Sequence, residues 1–197
     1  MMKKDRMPGR IFVVSAPSGC GKTTLCNRLL GDGLGLENSI SATTRAPRPG
    51  EKDGVDYRFI TAGRFREMAR RGGFLEYEEN FGNFYGTPRA FVEKRLKAGK
   101  PVLLSIDVKG AMKIRRAYPD SSVLIFLLPP TITALRKRLR SRKSDSPEVI
   151  KRRLALAKRE LSYKQRYDYR IVNDDLETAH RRLKSIVIAE MGKKEKE

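Results

Sequence analysis

Short, uninterrupted runs of apolar residues alternate along this chain with segments that begin and end on helix-capping residues. The apolar runs predict buried strands, because they are short and rich in β-branched side chains. They occupy residues 11–14, 101–107, 122–128 and 170–172. Continuous apolar strands separated by helices are typical of an α/β fold, in which helices cover both faces of a parallel sheet.

Specific residues mark where the helices between these strands begin and end. A first helix is predicted from about Lys22 and stops at Gly31, because glycine is common just past a helix end. Thr87 followed by Pro88 predicts an N-cap with proline at the first helical position, and Gly99 ends that helix. Further helices are predicted from Thr131 to about Arg140, from Ser146 onward, and after the last strand.

Residues 39–87 interrupt this alternation. They contain two short strand signals, at 57–60 and 74–77, a Pro-Arg-Pro-Gly turn and many aromatic side chains. We expect an inserted module with its own small sheet, placed over the carboxyl edge of the main sheet, where folds of this class bind ligands. A domain over 10–191 would then consist of a core, 10–38 and 88–191, with this module inserted.

Composition excludes several classes of protein. The 197 residues, 39% of them hydrophobic, suffice for a core without disulfides, and no apolar run is long enough for a membrane span or a signal peptide. Cys20 and Cys26 lack Cys-x-x-Cys spacing and His180 is the only histidine, so zinc sites and histidine-based triads are not expected. Two unpaired cysteines fit a reducing compartment, and we expect a cytoplasmic protein.

The net charge of +20, from 43 Lys and Arg against 23 Asp and Glu, is spread unevenly. Residues 131–170 hold 14 basic and 4 acidic side chains, so half of the net charge lies in about a fifth of the chain. Such a block favours polyanionic partners, either nucleic acid or the phosphates of nucleotides. A solvated basic surface is the simpler explanation for most of the individual residues.

A glycine-rich segment lies directly between the first strand and the first helix. It comprises Ala16, Pro17, Ser18, Gly19, Cys20, Gly21, Lys22 and Thr23, and departs from the G-x-x-x-x-G-K-[ST] pattern only at Ala16. In this context backbone N–H groups at the helix N-terminus bind phosphate oxygens, the lysine reaches the β- and γ-phosphates, and the threonine hydroxyl can ligate Mg²⁺. The segment predicts a nucleoside triphosphate site and leaves GTPase, ATPase and kinase open.

Segments beyond this phosphate loop resemble the guanylate kinase family, over about residues 10–191. The matching stretches are SAPSGCGKTT, SATTRAPRPGE, GVDYRF, FLEYEENFGNFYGTP, LLSIDVKGA, FLLPP and IVNDD. The resemblance implies a P-loop NTPase-type parallel sheet, a GMP-binding module at 39–87 and a helical lid at about 138–153. It also implies Mg²⁺-dependent transfer of the γ-phosphoryl group of ATP to GMP, with dGMP left open as a second acceptor.

The resemblance assigns roles to individual residues. The ATP site would comprise the phosphate loop and Asn173, with Lys22, Arg138, Arg142 and Arg153 as catalytic groups. The GMP phosphate would contact Arg45, Arg48, Tyr57 and Tyr85, and the guanine would contact Ser41, Glu76, Thr87 and Asp107. Thr23 and Asp107 would help to hold the metal. The chemistry agrees, because guanine offers N–H donors to carboxylates and an O6 acceptor to a hydroxyl. Without the resemblance, Glu76 would be interpreted as a surface carboxylate.

Two positions depart from the family pattern. Ser105 stands where an acidic residue is usual, and Lys109 stands where glutamine is usual. A carboxylate at a strand end commonly holds Mg²⁺ through water. Metal positioning in this chain would therefore depend more on Thr23, Asp107 and the phosphates of the nucleotide.

Two other functions stay open. A guanylate-kinase-like domain could serve only to bind a protein partner, but such domains tend to lose the phosphate loop or the lid arginines, which this chain retains. The basic surface could bind RNA, yet the alternating aromatic and basic residues of an RNA-binding sheet are not seen. Non-specific nucleic-acid binding is therefore the most that is expected. No membrane partner is expected, and the oligomeric state is not predicted.

Overall fold

The computed structural model describes residues 9–141 and 146–193, which form nine strands, seven α-helices and a short 3₁₀ helix, Ser162–Arg166. The strands are β1 (Ile11–Ser15), β2 (Glu37–Asn38), β3 (Ala42–Thr43), β4 (Arg58–Phe59), β5 (Phe74–Asn80), β6 (Asn83–Pro88), β7 (Val102–Ser105), β8 (Ser122–Leu128) and β9 (Tyr169–Val172). The helices are α1 (Lys22–Leu30), α2 (Ala62–Arg70), α3 (Arg89–Lys97), α4 (Val108–Ala117), α5 (Ile132–Arg140), α6 (Pro147–Leu161) and α7 (Leu176–Met191).

The central sheet is parallel throughout and has the strand order β2-β7-β1-β8-β9. Alternate side chains of its middle strand, β1, enter two separate cores. Phe12 and Val14 pack with residues of α1, α5, α6 and α7, while Ile11 and Val13 pack with residues of α3 and α4. Both faces of the sheet are therefore covered by helices, which confirms the predicted α/β fold.

A second sheet, with the order β4-β3-β6-β5, is built from the segment predicted to be an insertion. Strands β5 and β6 form its antiparallel hairpin, and β6 pairs antiparallel with β3. Helix α2 covers this sheet through Phe65, whose ring stacks on Phe74 and Phe84 at centroid distances of 4.5 and 5.3 Å. These rings give the small sheet an aromatic core of its own.

Helix α1 begins at Lys22 as predicted, and the predicted N-caps are confirmed at two positions and wrong at a third. Thr131 and Ser146 are N-caps whose side chains accept hydrogen bonds from Ala134 N and Val149 N. Thr87, by contrast, belongs to β6, and the N-cap of α3 is Pro88. The Thr87 hydroxyl is used elsewhere, because it donates to the buried carboxylate of Glu76.

The apolar pattern predicts neither α2 nor α4. Asp107 caps α4 by accepting a hydrogen bond from Gly110 N, so the start of this helix lies at the carboxyl end of β7. None of the helices in 9–141 and 146–193 combines the length and apolar character that a transmembrane span requires.

Candidate active site

A cleft of about 310 Å³ lies at the carboxyl end of the central sheet, bounded by the phosphate loop, the second sheet and α6. Its size is within the range of small-molecule sites. The predicted residues that line it are Ala16, Pro17, Ser18, Gly19, Gly21, Lys22, Thr23, Ser41, Arg48, Tyr57, Glu76, Tyr85, Asp107 and Arg153. Ser105 lines the cleft as well, whereas Lys109 is exposed and does not. Most of the predicted site is thus brought together around one space.

The phosphate loop connects β1 to α1 in the conformation that the glycines allow. Gly19 and Gly21 have φ angles of 91° and 80°, in the left-handed region that favours glycine. Between them Cys20 is buried, and burial raises the pKa of its thiol to about 12. A thiol that stays protonated is a poor nucleophile, so Cys20 contributes to the loop through its backbone and its packing.

Lys22 reaches from the first turn of α1 across the floor of the cleft. Its Nζ donates to the carbonyl oxygen of Ile106 over 3.0 Å. Burial lowers the pKa of the ammonium group from its usual value, while the nearby carboxylates of Asp107, Glu160 and Glu76 act in the opposite direction. The charge of Lys22 is therefore placed between the loop and the segment that follows β7.

Asn173, at the end of β9, lies behind the loop rather than in the cleft. Its Nδ2 donates to the backbone carbonyl oxygen of Cys20 over 2.7 Å. The backbone carbonyl oxygen of Asn173 accepts a 2.9 Å hydrogen bond from Arg138 Nη2. A Cβ on Gly21 would stand 2.6 Å from Asn173 Nδ2. The second loop glycine is therefore required by this close approach as well as by its φ angle.

Helix α6 contributes two polar side chains to the cleft, one predicted and one unexpected, beside the apolar Leu156. The predicted residue is Arg153, whose Nη1 lies 3.4 Å from Ser18 Oγ. The unexpected one is Glu160, a buried carboxyl whose Oε2 has no hydrogen-bond partner among the described residues. Burial raises the pKa of Glu160 to about 7, and the charge of Lys22 opposes this. Arg142, the remaining predicted lid arginine, lies outside the described residues.

Arg48, Tyr57 and Tyr85 line the side of the cleft formed by the second sheet, and Arg45 lies beside them. The guanidinium of Arg45 lies 5.4 Å above the Tyr57 ring, and the Tyr57 and Tyr85 rings meet edge to face at 6.0 Å. Burial raises the pKa of Tyr57, so its hydroxyl stays a neutral donor. Two guanidinium groups beside two phenolic hydroxyls form a suitable site for a phosphate.

Glu51 holds this group in place, and it is not among the predicted site residues. Its Oε1 accepts from Arg45 Nη2 over 2.9 Å, and its Oε2 accepts from the backbone N of Arg48 over 2.7 Å. Burial opposes ionisation of Glu51, but these hydrogen bonds outweigh it and the pKa is lowered. The sequence contains one local signal for this role, since Glu51 is an acidic residue at the end of a proline- and glycine-rich turn that contains two arginines.

Glu76, on β5 of the second sheet, presents a buried carboxyl to the same cleft. It is 6% exposed, and its Oε1 accepts a 2.5 Å hydrogen bond from the Thr87 hydroxyl. Burial raises the pKa of Glu76 to about 7 although this hydrogen bond acts to lower it. A carboxyl held in this way is suited to a ligand that donates N–H groups, because such donors stabilise the ionised form.

Oxygen donors suited to Mg²⁺ lie near the phosphate loop, on Thr23, Ser105 and Asp107. Both carboxylate oxygens of Asp107 already accept hydrogen bonds, from Gly110 N over 2.9 Å and from Asn80 Nδ2 over 2.6 Å. No group of three or more His, Cys, Asp or Glu side chains able to hold a metal is found in 9–141 and 146–193. The donor set fits a hydrated ion that is bound mainly by a nucleotide.

Comparisons with known proteins agree on one family. Residues 8–190 match the family model described as guanylate kinase. The chain is 49% identical to a guanylate kinase of Thiobacillus denitrificans over 178 residues, which is 90% of this chain and 85% of the relative. It is 46% identical to one of Caulobacter vibrioides over 195 residues, 98% of this chain and 92% of the relative.

A solved structure gives the same result for the fold. The crystal structure of guanylate kinase from Anaplasma phagocytophilum superimposes on this chain with a TM-score of 0.82 and 38% sequence identity. The match covers 95% of this chain and 89% of the other. Sequence and backbone are therefore similar over nearly the whole length of the chain.

Proposed function

The chain belongs to the guanylate kinase family and transfers a phosphoryl group from ATP to GMP, and we propose that the cleft residues described above perform this transfer. The proposal rests on one observation, which is that a single cleft collects the residues needed for both substrates. Lys22 and Arg153 lie at its phosphate-loop end, and Arg48 and Glu76 lie on the wall formed by the second sheet. The two nucleotides would then meet with their phosphates between these groups.

ATP binds on the phosphate loop. The loop N–H groups and the N-terminus of α1 provide positive potential for the β- and γ-phosphates, and Lys22 adds a full charge there. Arg153, Arg138 and Arg142 would neutralise the charge that spreads over the transferring group. Phosphoryl transfer depends mainly on positioning and charge neutralisation. A general base is not needed, because the accepting phosphate of GMP is already ionised.

GMP binds on the second sheet. Its phosphate would be held by Arg45, Arg48, Tyr57 and Tyr85, with Glu51 orienting the two arginines. Its guanine would be read by Glu76, Asp107, Ser41 and Thr87. Adenine carries a lone pair at N1 where guanine carries a hydrogen, so an ionised Glu76 would accept a hydrogen bond from guanine and repel adenine. The acceptor specificity follows from this contrast.

Magnesium is the cofactor that fits the donors of this cleft. Thr23 would contribute its hydroxyl, and Asp107, whose oxygens are engaged by Gly110 and Asn80, would act through a bound water. When bound, the ion supplies charge compensation for the phosphate oxygens. We further propose that residues 39–87 form a GMP-binding module that is inserted in the core. Residues from about 138 to 153 would form a lid that is attached to the core.

Measuring ADP release from ATP tests the proposal, with GMP, dGMP, AMP, CMP and UMP as acceptors. GMP should support turnover and AMP should not, since only guanine donates from N1. Equal rates with AMP and GMP would contradict the assignment of Glu76. Lys22→Ala should nearly abolish turnover with GMP while the protein stays folded, and normal turnover in that variant would contradict the phosphate-loop assignment.

A further inference from the structure

Gly110, in the first turn of α4, lies directly against the carboxylate of Glu76. A Cβ built on Gly110 would stand 2.5 Å from Glu76 Oε2 and 3.0 Å from Glu76 Cδ. Both distances are well inside van der Waals contact. The other carboxylate oxygen, Oε1, accepts the hydrogen bond from Thr87. The Thr87 hydroxyl thus fixes one side of the carboxyl group. On its other side, the carboxyl group occupies the space that a side chain at position 110 would fill.

The backbone at position 110 does not require glycine. Gly110 is not among the glycines with a positive φ, and it lies inside a regular helix. Glycine in a helix is less favourable than alanine. Its N–H donates to Asp107 Oδ1, which any residue other than proline could do. What glycine alone supplies here is the space beside Glu76.

We propose that Gly110 is a positioning residue for acceptor specificity, because it sets where the Glu76 carboxylate lies in the cleft. The inference rests on the proposed recognition of guanine by Glu76. A methyl group at 110 meets the free end of the Glu76 side chain rather than backbone, so the carboxylate is displaced and the fold is retained. Hydrogen bonds tolerate only a few tenths of an ångström, so a displacement of about 1 Å removes the contacts to guanine N1–H and N2–H.

The test is Gly110→Ala, with GMP and IMP as alternative acceptors, because IMP lacks the 2-amino group of GMP. The value of kcat/KM for GMP should fall about tenfold or more, the equivalent of one to two lost buried hydrogen bonds. The loss should appear mainly in KM for GMP, the preference for GMP over IMP should shrink, and KM for ATP should not change. The melting temperature should be equal or higher, since alanine is the better helix former.

Gly63→Ala is the matched control. Gly63 also lies in the first turn of a helix in the same part of the molecule, but a Cβ there would meet only Thr61 Oγ1, at 4.0 Å. The same gain in helix propensity should therefore leave KM for GMP and the GMP-to-IMP preference unchanged. An unchanged KM for GMP in Gly110→Ala would overturn the inference.

Making the same substitution in a Glu76→Ala protein tests the role of Gly110 separately from the recognition of guanine by Glu76. In Glu76→Ala, where no carboxylate remains to be displaced, adding Gly110→Ala should have no further effect on the GMP-to-IMP preference. If Gly110→Ala costs the same factor in both backgrounds, it acts through the helix and the inference is wrong while the role of Glu76 stands. If Glu76→Ala alone retains the full preference for GMP, the proposed guanine recognition is wrong and this inference falls with it.

Discussion

Asn173 donates a 2.7 Å hydrogen bond from its side-chain amide to the carbonyl oxygen of Cys20. It thereby links the end of β9 to the middle of the phosphate loop, across 153 positions of sequence. Asn173 is buried, and the lack of a side chain at Gly21 is what lets it approach. The shape of the loop is therefore maintained from the far edge of the central sheet as well as by its own glycines.

Asn173→Ala should weaken ATP binding by loosening this loop. A single hydrogen bond contributes about 1 kcal/mol, so KM for ATP should rise about fivefold. The hydrogen bond from Arg138 goes to the backbone carbonyl of residue 173 and should survive the substitution. Steady-state kinetics with each substrate varied in turn provide the measurement. KM for GMP is the internal control, and an equal rise in both constants would show a general loss of structure.

Glu51→Gln should weaken GMP binding although Glu51 is not proposed to touch the substrate. Glutamine removes the charge and one of the two oxygens that hold Arg45 and the Arg48 amide. Arg45 would then spend less time in the orientation that binds the GMP phosphate, and KM for GMP should rise about 5- to 20-fold, as for one charge-assisted hydrogen bond. KM for ATP should be unchanged.

Glu67→Gln is the control for this prediction. Glu67 also pairs with arginines in the same module, Arg64 and Arg71, but on the exposed surface of α2 and away from the cleft. Exposed pairs of this kind contribute little, so both KM values should equal those of the unaltered protein. A fall in KM for GMP in Glu51→Gln would mean that Glu51 competes with the substrate phosphate for Arg45.

GMP binding should strengthen as the pH rises through the pKa of Glu76, which burial raises to about 7. The carboxyl must be ionised to accept hydrogen bonds from guanine, and the ionised fraction grows from roughly a tenth at pH 6 to nine tenths at pH 8. KM for GMP should therefore fall by up to about tenfold over this range. The GMP phosphate also titrates near pH 6, so the relevant quantity is the difference from Glu76→Gln. Parallel pH profiles for the two proteins would contradict the prediction.

The Glu76 carboxyl should also affect folding stability, which should decrease as the pH rises, whereas GMP binding should strengthen. Its pKa is raised above the unfolded value of about 4.5, so the folded state binds the proton more tightly than the unfolded chain does. The stability that this proton contributes is present below pH 4.5 and is lost as the pH rises to about 7. Relative to Glu76→Gln, the unaltered protein without nucleotide should therefore lose unfolding free energy over this interval, as measured by urea titration at several pH values.

The sequence predicts those parts of the fold that depend on a local pattern of residues. The apolar run 122–128 is strand β8, and Thr131 caps α5, because continuous burial and a capping hydroxyl are both readable over a few residues. Helix α2 was missed because only Phe65 of its nine residues is fully buried. Helix α4 was missed because Gly110 and Ala111, on its buried face, are too small to produce a clear apolar stripe.

For the site, the sequence identifies the individual residues better than it identifies the contacts between them. The phosphate loop is recognisable because its glycines, lysine and threonine are consecutive. The bond from Asn80 to Asp107 depends on how two distant segments meet, and no local pattern encodes it. Thr87 shows the same limit, since a threonine before proline resembles an N-cap until Glu76 is seen beside it.

Ser105 provides the prediction most particular to this chain. Its side chain lines the cleft at the end of β7, where the family pattern has an acidic residue. The carboxylate of Asp107 is partly committed to Gly110 and Asn80, so it cannot fully replace the missing one. Mg²⁺ retains several waters and tolerates the loss of a carboxylate that acts through water. We therefore expect an active enzyme that needs more Mg²⁺ than relatives with the acidic residue.

Ser105→Asp should lower the Mg²⁺ concentration that gives half of the maximal rate, by up to about tenfold for one water-mediated carboxylate contact. Ser105→Asn is the matched control, because asparagine has the size of aspartate without its charge. Only the aspartate variant should respond, since the effect comes from the negative charge near the metal. Titration of the rate with Mg²⁺ at fixed ATP and GMP decides the question. Superimposable curves for the unaltered protein and Ser105→Asp would remove the reason to place the ion near residue 105, and equal shifts for both variants would attribute the effect to side-chain size.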